Sequence, residues 1–297
     1  MNILITGALQ KAEEMIHQLA LSGHQVRYMQ HEDEPLPCEY EWVEGTICNS
    51  LFQAHPIELF RNLRFIQLTS AGFDRVPMAY VAEHNIEIHN ARGVYSIPMA
   101  EFAVCGVLQL YKQAAFFREN QRLHQWVKHR GLTELNGKTV CIVGCGSVGT
   151  ECAKRFRAFG CRVTGVDPVL QAGEPYETIY PVNEIDVVLG TADIVVLALP
   201  LTDETRGMMD ANRLAGMKAG SILVNIARGP IVDEKALTEA LLNVKIGGAV
   251  LDVFETEPLT ESKLWDMDNV LVTPHNSFVS ENNQERLQQI VLEHLGK

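Results

Sequence analysis

The chain has 297 residues, 46% of them hydrophobic and 21% charged, which is enough to bury one large core or two ordinary ones and too apolar for a disordered chain. With 25 basic against 37 acidic residues the formal charge is −12, and no basic cluster stands out, so neither a nucleic-acid nor an anionic-membrane partner is expected. Seven cysteines without a CxxC pair, a start lacking a basic leader, and no apolar run near the roughly 20 residues of a membrane span point to a cytoplasmic protein without disulfides, and no metal is expected.

Short apolar runs alternate with helical stretches through the first third. Strands are expected at Asn2–Thr6, Gln25–Met29, Trp42–Ile47, Arg64–Leu68 and Ile86–His89. A first helix over Lys11–Leu21 stops at Gly23, where a positive φ is cheap. From Pro98 to Leu123, Ala100, Ala103, Val104, Val107, Leu108, Tyr111 and Ala115 recur at three- and four-residue spacing and predict one long helix. Such a helix bridges two α/β units, and its apolar content suits a homodimer contact. Trp126–Lys138 reads as polar and irregular.

A second alternation follows. Its strands are expected at Thr139–Val143, Arg162–Val166, Ile194–Ala198, Ser221–Asn225, Gly247–Leu251 and Val270–Thr273. Helices lie between them at Ser147–Phe159, Asn183–Leu189, Asp210–Ala215 and Asp233–Asn243, the last with Asp233 as N-cap. Six strands in this rhythm predict a doubly wound parallel sheet. The amphipathic stretch Glu281–Leu295 is expected to return to the first domain. The domains then run 1–95 with 277–297, and 96–276.

Gly144-Cys145-Gly146-Ser147-Val148-Gly149 follows directly on the strand Thr139–Val143 and opens a helix. In that setting the first glycine allows the tight turn, the second lets backbone approach a pyrophosphate, and the third lets helix and strand pack closely. The pyrophosphate would lie on the positive end of the helix. Asp167 ends the next strand, where a carboxylate accepts from ribose hydroxyls and repels a 2′-phosphate. Pro168 brings no group to receive that phosphate, so NAD is expected over NADP. Cys145 within the loop reads as a small filler residue, with a redox-sensitive thiol as the alternative.

Seven further segments fall in order along the chain. They are Thr69-Ser-Ala-Gly-Phe-Asp74, Asn90-Ala-Arg-Gly-Val-Tyr-Ser96 with Ala100-Glu101, Leu135-Asn-Gly-Lys-Thr139, Ala198-Leu-Pro-Leu-Thr202 with Thr205, Asn225-Ile-Ala-Arg-Gly-Pro230, Leu251-Asp-Val-Phe-Glu-Thr-Glu-Pro258 and Thr273-Pro-His275. With them the chain resembles the D-isomer-specific 2-hydroxyacid dehydrogenases over nearly its whole length. The resemblance implies two doubly wound α/β domains, a flavodoxin-like substrate domain and a Rossmann NAD-binding domain, joined by the long helix. It implies hydride transfer between NAD(H) and a small 2-oxo or 2-hydroxy acid.

Carried over residue by residue, the resemblance gives Arg228 the substrate carboxylate and the 2-oxo oxygen, His275 the acid–base role, and Glu257 the partnership with His275. Asp252 and the backbone of Ala227-Arg228 match contacts to the nicotinamide amide. Leu199-Pro200, with Thr205 nearby, border the adenine and ribose. The backbone N–H groups of Ser70, Ala71 and Gly72 match the loop that cradles the substrate carboxylate, so the expected site draws on both domains. The residue types suit the chemistry. Hydride addition builds negative charge on oxygen, and a fixed cation and a proton donor must face it.

Two departures from the family pattern stand out, and one absence bears on the substrate. Asn276-Ser277-Phe278-Val279 replaces the small, glycine-containing segment that usually follows the histidine, and Phe278 adds bulk. The tail beyond His275 is short, and no appended regulatory domain is expected. No basic cluster demands a phosphorylated substrate. The alternative reading is a non-catalytic NAD-sensing scaffold or corepressor, which uses this same fold.

Overall fold

Ile3-Leu4-Ile5 and Val140-Cys141-Ile142 are fully buried runs with no polar alternation, the pattern of parallel strands covered on both faces. The computed structural model describes residues 1–9, 12–170 and 173–295. It divides into two compact units, 1–95 with 280–297, and 96–279. Among the described residues no helix is long and apolar enough to cross a membrane.

The first unit holds a parallel sheet of β1 (Asn2–Thr6), β2 (Gln25–Met29), β3 (Gly45–Cys48), β4 (Phe65–Leu68) and β5 (Glu87–His89), in the order β2-β1-β3-β4-β5. Helix α1 (Ala12–Leu21) buries Ala12, Met15 and Leu19 against it; the expected start at Lys11 lies outside the described residues. Strand β3 begins later than expected. Tyr40–Trp42 form a 3-10 turn instead, with Trp42 under the Arg27 guanidinium at 5.7 Å from the ring centroid. Two short helices, α2 (Leu51–Ala54) and α3 (Met78–Glu83), cross between strands. The closing helix, Asn283–Leu295, buries Leu287, Val291 and Leu295 with Ile3 and Ile5 of β1.

The second unit opens with α4 (Ser96–Tyr111) and α5 (Ala114–Arg122), where the sequence predicts one helix. The break is at Gln113, which is left-handed at φ 54°, while both its backbone N–H and its side-chain amide bond the Leu110 carbonyl. The stripe residues of α4 are mostly buried, but Ala115, its continuation in α5, is exposed, so the spacing that reads as one helix holds in the sequence and not in the packing.

Its sheet has seven parallel strands in the order β12-β11-β10-β9-β6-β7-β8. They are β6 (Thr139–Val143), β7 (Arg162–Val166), β8 (Thr178–Tyr180), β9 (Ile194–Leu197), β10 (Ile222–Asn225), β11 (Gly248–Leu251) and β12 (Val270–Val272). The sequence reading expects six; β8 is a three-residue edge strand, too short to show a period. Helices α6 (Ser147–Ala158), α7 (Ile185–Leu189), α8 (Ala211–Gly216) and α9 (Glu234–Leu242) lie between the strands. Order and direction make this a doubly wound sheet, whose ligand crevice lies at the carboxyl ends of the strands.

Candidate active site

Because all seven strands of the second sheet run in one direction, the segments that follow them gather along one edge. They are the glycine loop after β6, Asp167 after β7, residues 198–205 after β9, 225–230 after β10, 252–258 after β11 and 273–277 after β12. Strands β10, β11 and β12 are consecutive neighbours, which places the loops of Arg228, Glu257 and His275 side by side.

At the nucleotide end, Gly144 has φ +94°, and a side chain there would drive into the Ala198 carbonyl and Leu199 Cα. Gly149 lies against the Gly144 carbonyl, closing α6 onto the loop, whereas above Gly146 there is open space. A helix N-terminus leaves N–H groups that no helical carbonyl reaches, and the open space beside Gly146, the α6 N-cap, lets an anion approach that end. Asp167 Oδ2 accepts from Cys145 N at 2.8 Å and Oδ1 accepts from Val169 N at 2.9 Å. The acid thus shapes the glycine loop, a role not legible from spacing. Pro168 beside it is exposed. Burial pushes the Cys145 thiol up to about 11, keeping it protonated near neutrality, and Sγ packs beside Gly165 and Tyr176. That environment is a filler's, not a reactive thiolate's. Thr205 Oγ1 donates to the Pro200 carbonyl at 2.7 Å and accepts from Thr202 N at 2.8 Å, so its hydroxyl organises the loop after β9.

At the other end, His275 Nδ1 is 2.8 Å from Glu257 Oε2, and the two side chains are 36% and 37% exposed. A carboxylate only accepts, so Nδ1 carries the hydrogen and Nε2 is left to exchange a proton with a reactant. Glu257 Oε1 is pinned in turn by Phe254 N at 3.1 Å. His275 itself is left-handed at φ 51°, a conformation costing about 1 kcal/mol or more for a residue with a Cβ.

Asp252 holds it there. Its fully buried carboxylate accepts from Thr273 Oγ1 at 2.6 Å, Asn276 N at 2.7 Å and Ser277 N at 2.9 Å, while its carbonyl accepts from His275 N at 2.8 Å. The structure thus gives Asp252 a turn-building role that the resemblance did not specify. Phe278 sets its ring edge-on to His275, with centroids 6.0 Å apart.

Between these loops, buried Asn225 folds the turn carrying Arg228: Oδ1 accepts from Ala227 N and Nδ2 donates to the Arg228 carbonyl, both at 3.1 Å. The Arg228 guanidinium donates from Nη1 to the Ala227 carbonyl at 2.7 Å. Gly229 lies directly under the Phe254 carbonyl, where any Cβ would overlap it. The sequence places Asn225, Gly229 and Thr273 in matching segments but gives none of them a role. An Asn ending an apolar strand is a turn signal, but nothing local says which turn it closes. Ser70, Ala71 and Gly72 belong to the first unit, in the bend after β4, where Ser70 Oγ donates to the Gly72 carbonyl at 3.1 Å.

A doubly wound sheet with a glycine loop, an acid behind it, and a carboxylate-paired histidine at the same edge defines a nucleotide-dependent oxidoreductase domain. Residues 104–277 match the family model of the D-isomer specific 2-hydroxyacid dehydrogenase NAD binding domain. The chain is 33% identical to an (S)-sulfolactate dehydrogenase of Chromohalobacter salexigens, over 80% of this chain and 78% of that protein. It is 35% identical to a hydroxypyruvate reductase of Thermotoga maritima, over 81% and 79%. Among solved structures, a D-isomer specific 2-hydroxyacid dehydrogenase from Xanthobacter autotrophicus, in complex with NADPH and MES, superposes with a TM-score of 0.80 at 31% identity, covering 99% of this chain and 93% of that one. The chain belongs to the D-isomer specific 2-hydroxyacid dehydrogenase family. It is an NAD-binding oxidoreductase acting on the CH–OH group of 2-hydroxy acids, and the non-catalytic scaffold reading is not favoured.

Proposed function

We propose that this chain reduces the carbonyl of a small, unphosphorylated 2-oxo acid with NADH, using His275 as proton donor, Glu257 as its partner and Arg228 as the cation facing the substrate carboxylate and 2-oxo oxygen. The observation that carries this reading is the 2.8 Å contact between His275 Nδ1 and Glu257, which leaves Nε2 as the exchanging nitrogen at the carboxyl edge of the sheet. When bound, NADH supplies the hydride. The residues present fit it: open space above Gly146, the α6 N-terminus for the pyrophosphate, and the Asp167 carboxylate for ribose hydroxyls. Gly144, Ser147, Val148, Gly149, Pro168, Leu199, Pro200, Thr205 and Ala227 are the remaining proposed cofactor contacts; Asp252, expected at the nicotinamide amide, is fully buried with its carboxylate engaged by Thr273, Asn276 and Ser277, and is assigned to the turn instead.

With hydride added at carbon, His275 delivers its Nε2 proton to the carbonyl oxygen while Glu257 steadies the imidazolium, and the reverse reaction returns the proton to the ring. Arg228 offsets the charge that builds on oxygen and can hold a carboxylate through two parallel bonds. Ser70, Ala71 and Gly72 are proposed, on the family resemblance alone, as a carboxylate-binding loop. Asp167 followed by an uncharged proline favours NADH, although the Xanthobacter relative was crystallised with NADPH.

The test is NADH consumption with glyoxylate, hydroxypyruvate, pyruvate and 3-phosphohydroxypyruvate in parallel. Turnover is expected with the unphosphorylated acids, and preference for the phosphorylated one overturns the substrate class. His275→Ala should lower kcat by about 10²–10⁴-fold, the range for losing a general acid. A loss below about threefold removes His275 from that role.

A homodimer in the cytoplasm is proposed as the working state. A groove of about 510 Å³ along α4, lined by Val104, Cys105, Leu108 and Phe159, offers apolar surface, and Phe159 is 46% exposed. Phe159→Glu should shift the mass found by light scattering from two chains towards one. A wild-type monomer sinks the assembly.

A further inference from the structure

The loop that carries Glu257 is held at a second point, on its far side from His275. Glu234 is the first residue of α9, and Glu255 lies two residues before Glu257. Each carboxylate accepts the other residue's backbone N–H: Glu234 N donates to Glu255 Oε1 at 3.0 Å, and Glu255 N donates to Glu234 Oε2 at 3.2 Å. The Glu234 N–H is one of the N-terminal donors of α9 that no helical carbonyl can reach. Glu255 therefore caps α9 from a different strand's loop, alongside Asp233, which accepts from Ala236 N at 2.9 Å.

This arrangement sets two carboxylates close together. Burial chiefly pushes the Glu234 carboxyl above its usual range; the hydrogen bond from the Glu255 N–H works against this, and the Glu255 charge adds a smaller upward push. Glutamine at either position would accept the same N–H without that repulsion, so the positioning lies in the bonds and not in the charges.

Phe254 and Glu255 are thereby fixed from several directions. The Phe254 carbonyl rests on Gly229, next to Arg228. The neighbouring N–H groups diverge, Phe254 N to Glu257 Oε1 and Glu255 N to Glu234 Oε2. We propose that Glu234 and Glu255 form a positioning clamp for the acid–base pair: by holding Phe254-Glu255 between α9 and the Arg228-Gly229 turn, they set the point from which Glu257 reaches His275 Nδ1. Both act through other residues. The inference rests on the assignment of Glu257 and His275 as that pair.

The test uses the full chain with Glu234→Ala, Glu255→Ala, the double variant, Glu234→Gln and Glu255→Gln. Three quantities are read: the pH profile of kcat/KM, the NADH dissociation constant, and the downfield imidazole Nδ1–H proton resonance, assigned to His275 by its loss in His275→Ala. Each alanine variant should lower kcat by about 3–30-fold, of the order seen for residues that orient a reactive group. It should also change the pH profile and weaken the Nδ1–H signal, with NADH affinity held within about twofold. The glutamine variants should stay within about twofold of wild type in kcat, and the double alanine variant should be about as impaired as the worse single one, as a shared link predicts.

Unchanged kcat and Nδ1–H signal in the alanine variants overturns the clamp. So does a loss matched by an equal loss of NADH affinity, or one repeated in the glutamine variants. If an alanine variant does not fold, Glu234→Asp decides, since it keeps the charge and shortens the reach: the clamp predicts impairment, and full activity overturns it. Retained turnover in His275→Ala would instead sink the underlying assignment, leaving the Nδ1–H signal to judge whether Glu234 and Glu255 hold the contact.

Discussion

His275 must keep a left-handed backbone and a ring whose rear nitrogen faces a carboxylate, and the two demands are met by different acids. Asp252 takes the backbone side through Asn276, Ser277 and its own carbonyl, and Glu257 takes the ring. Asp167 bonds both Cys145 N and Val169 N, and it is also the acid proposed for the ribose hydroxyls. Its replacement should therefore do two things at once. Asp167→Ala is expected to weaken binding of both cofactors through the slackened loop, and to reduce the NADH-over-NADPH ratio of kcat/KM by about tenfold, the value of one well-placed polar contact. Steady-state kinetics with both cofactors separate the effects: an unchanged ratio confines Asp167 to loop shape.

Elements explain why Gly229 matters more than its place beside an arginine suggests. It is the point where the loops after β10 and β11 touch, so Gly229→Ala must push Phe254 away and alter the spacing between Arg228 and the Glu257–His275 pair. We expect kcat/KM to fall by about 10²-fold or more for a displacement near 1 Å, with a stability loss of about 1–3 kcal/mol from overpacking. Activity near wild type would mean the loops yield independently.

That contact illustrates what could and could not be read from the chain. The central strands of both sheets were legible because uninterrupted apolar runs such as Ile194-Val195-Val196-Leu197 have few other uses in a chain this long. The glycine loop and its acid were legible because a strand precedes them and a helix follows. Strand β8 was not, since three residues at an edge carry no period, and neither was the break at Gln113, where a left-handed residue without glycine leaves no local mark. At the site, Arg228, Glu257 and His275 could be named from the resemblance. The bonds of Asp252 with Thr273, Asn276 and Ser277, and of Glu234 with Glu255, join segments whose adjacency exists only once the sheet order is known, while those of Asn225 are local but depend on a turn that the strand pattern does not specify.

At the scale of the whole molecule, pH reaches stability through groups outside the site. Asp193 lies just before β9; burial works against its charge, but the Lys218 ammonium at 2.6 Å and the Thr139 N–H at 2.9 Å hold its carboxyl below the usual range. A carboxyl depressed by folding contributes stability above its unfolded value, near ~3.9, and loses it as pH falls through the folded one. Asp193→Asn should thus destabilise the fold at neutral pH by no more than about 1 kcal/mol given the half-exposed lysine, seen as a lower Tm, and the gap from wild type should close in acid. A gap that persists in acid assigns the effect to packing. Asp193, Thr139 and Lys218 stand at the amino ends of the strands, whereas Gly144, Arg228, Glu257 and His275 follow their carboxyl ends. One sheet therefore has a rim that fastens and a rim that carries the candidate site, a strand's length apart. A substitution at Asp193 is thus remote from the candidate site, and its effect on stability can be measured with the chemistry of that site left as it stands.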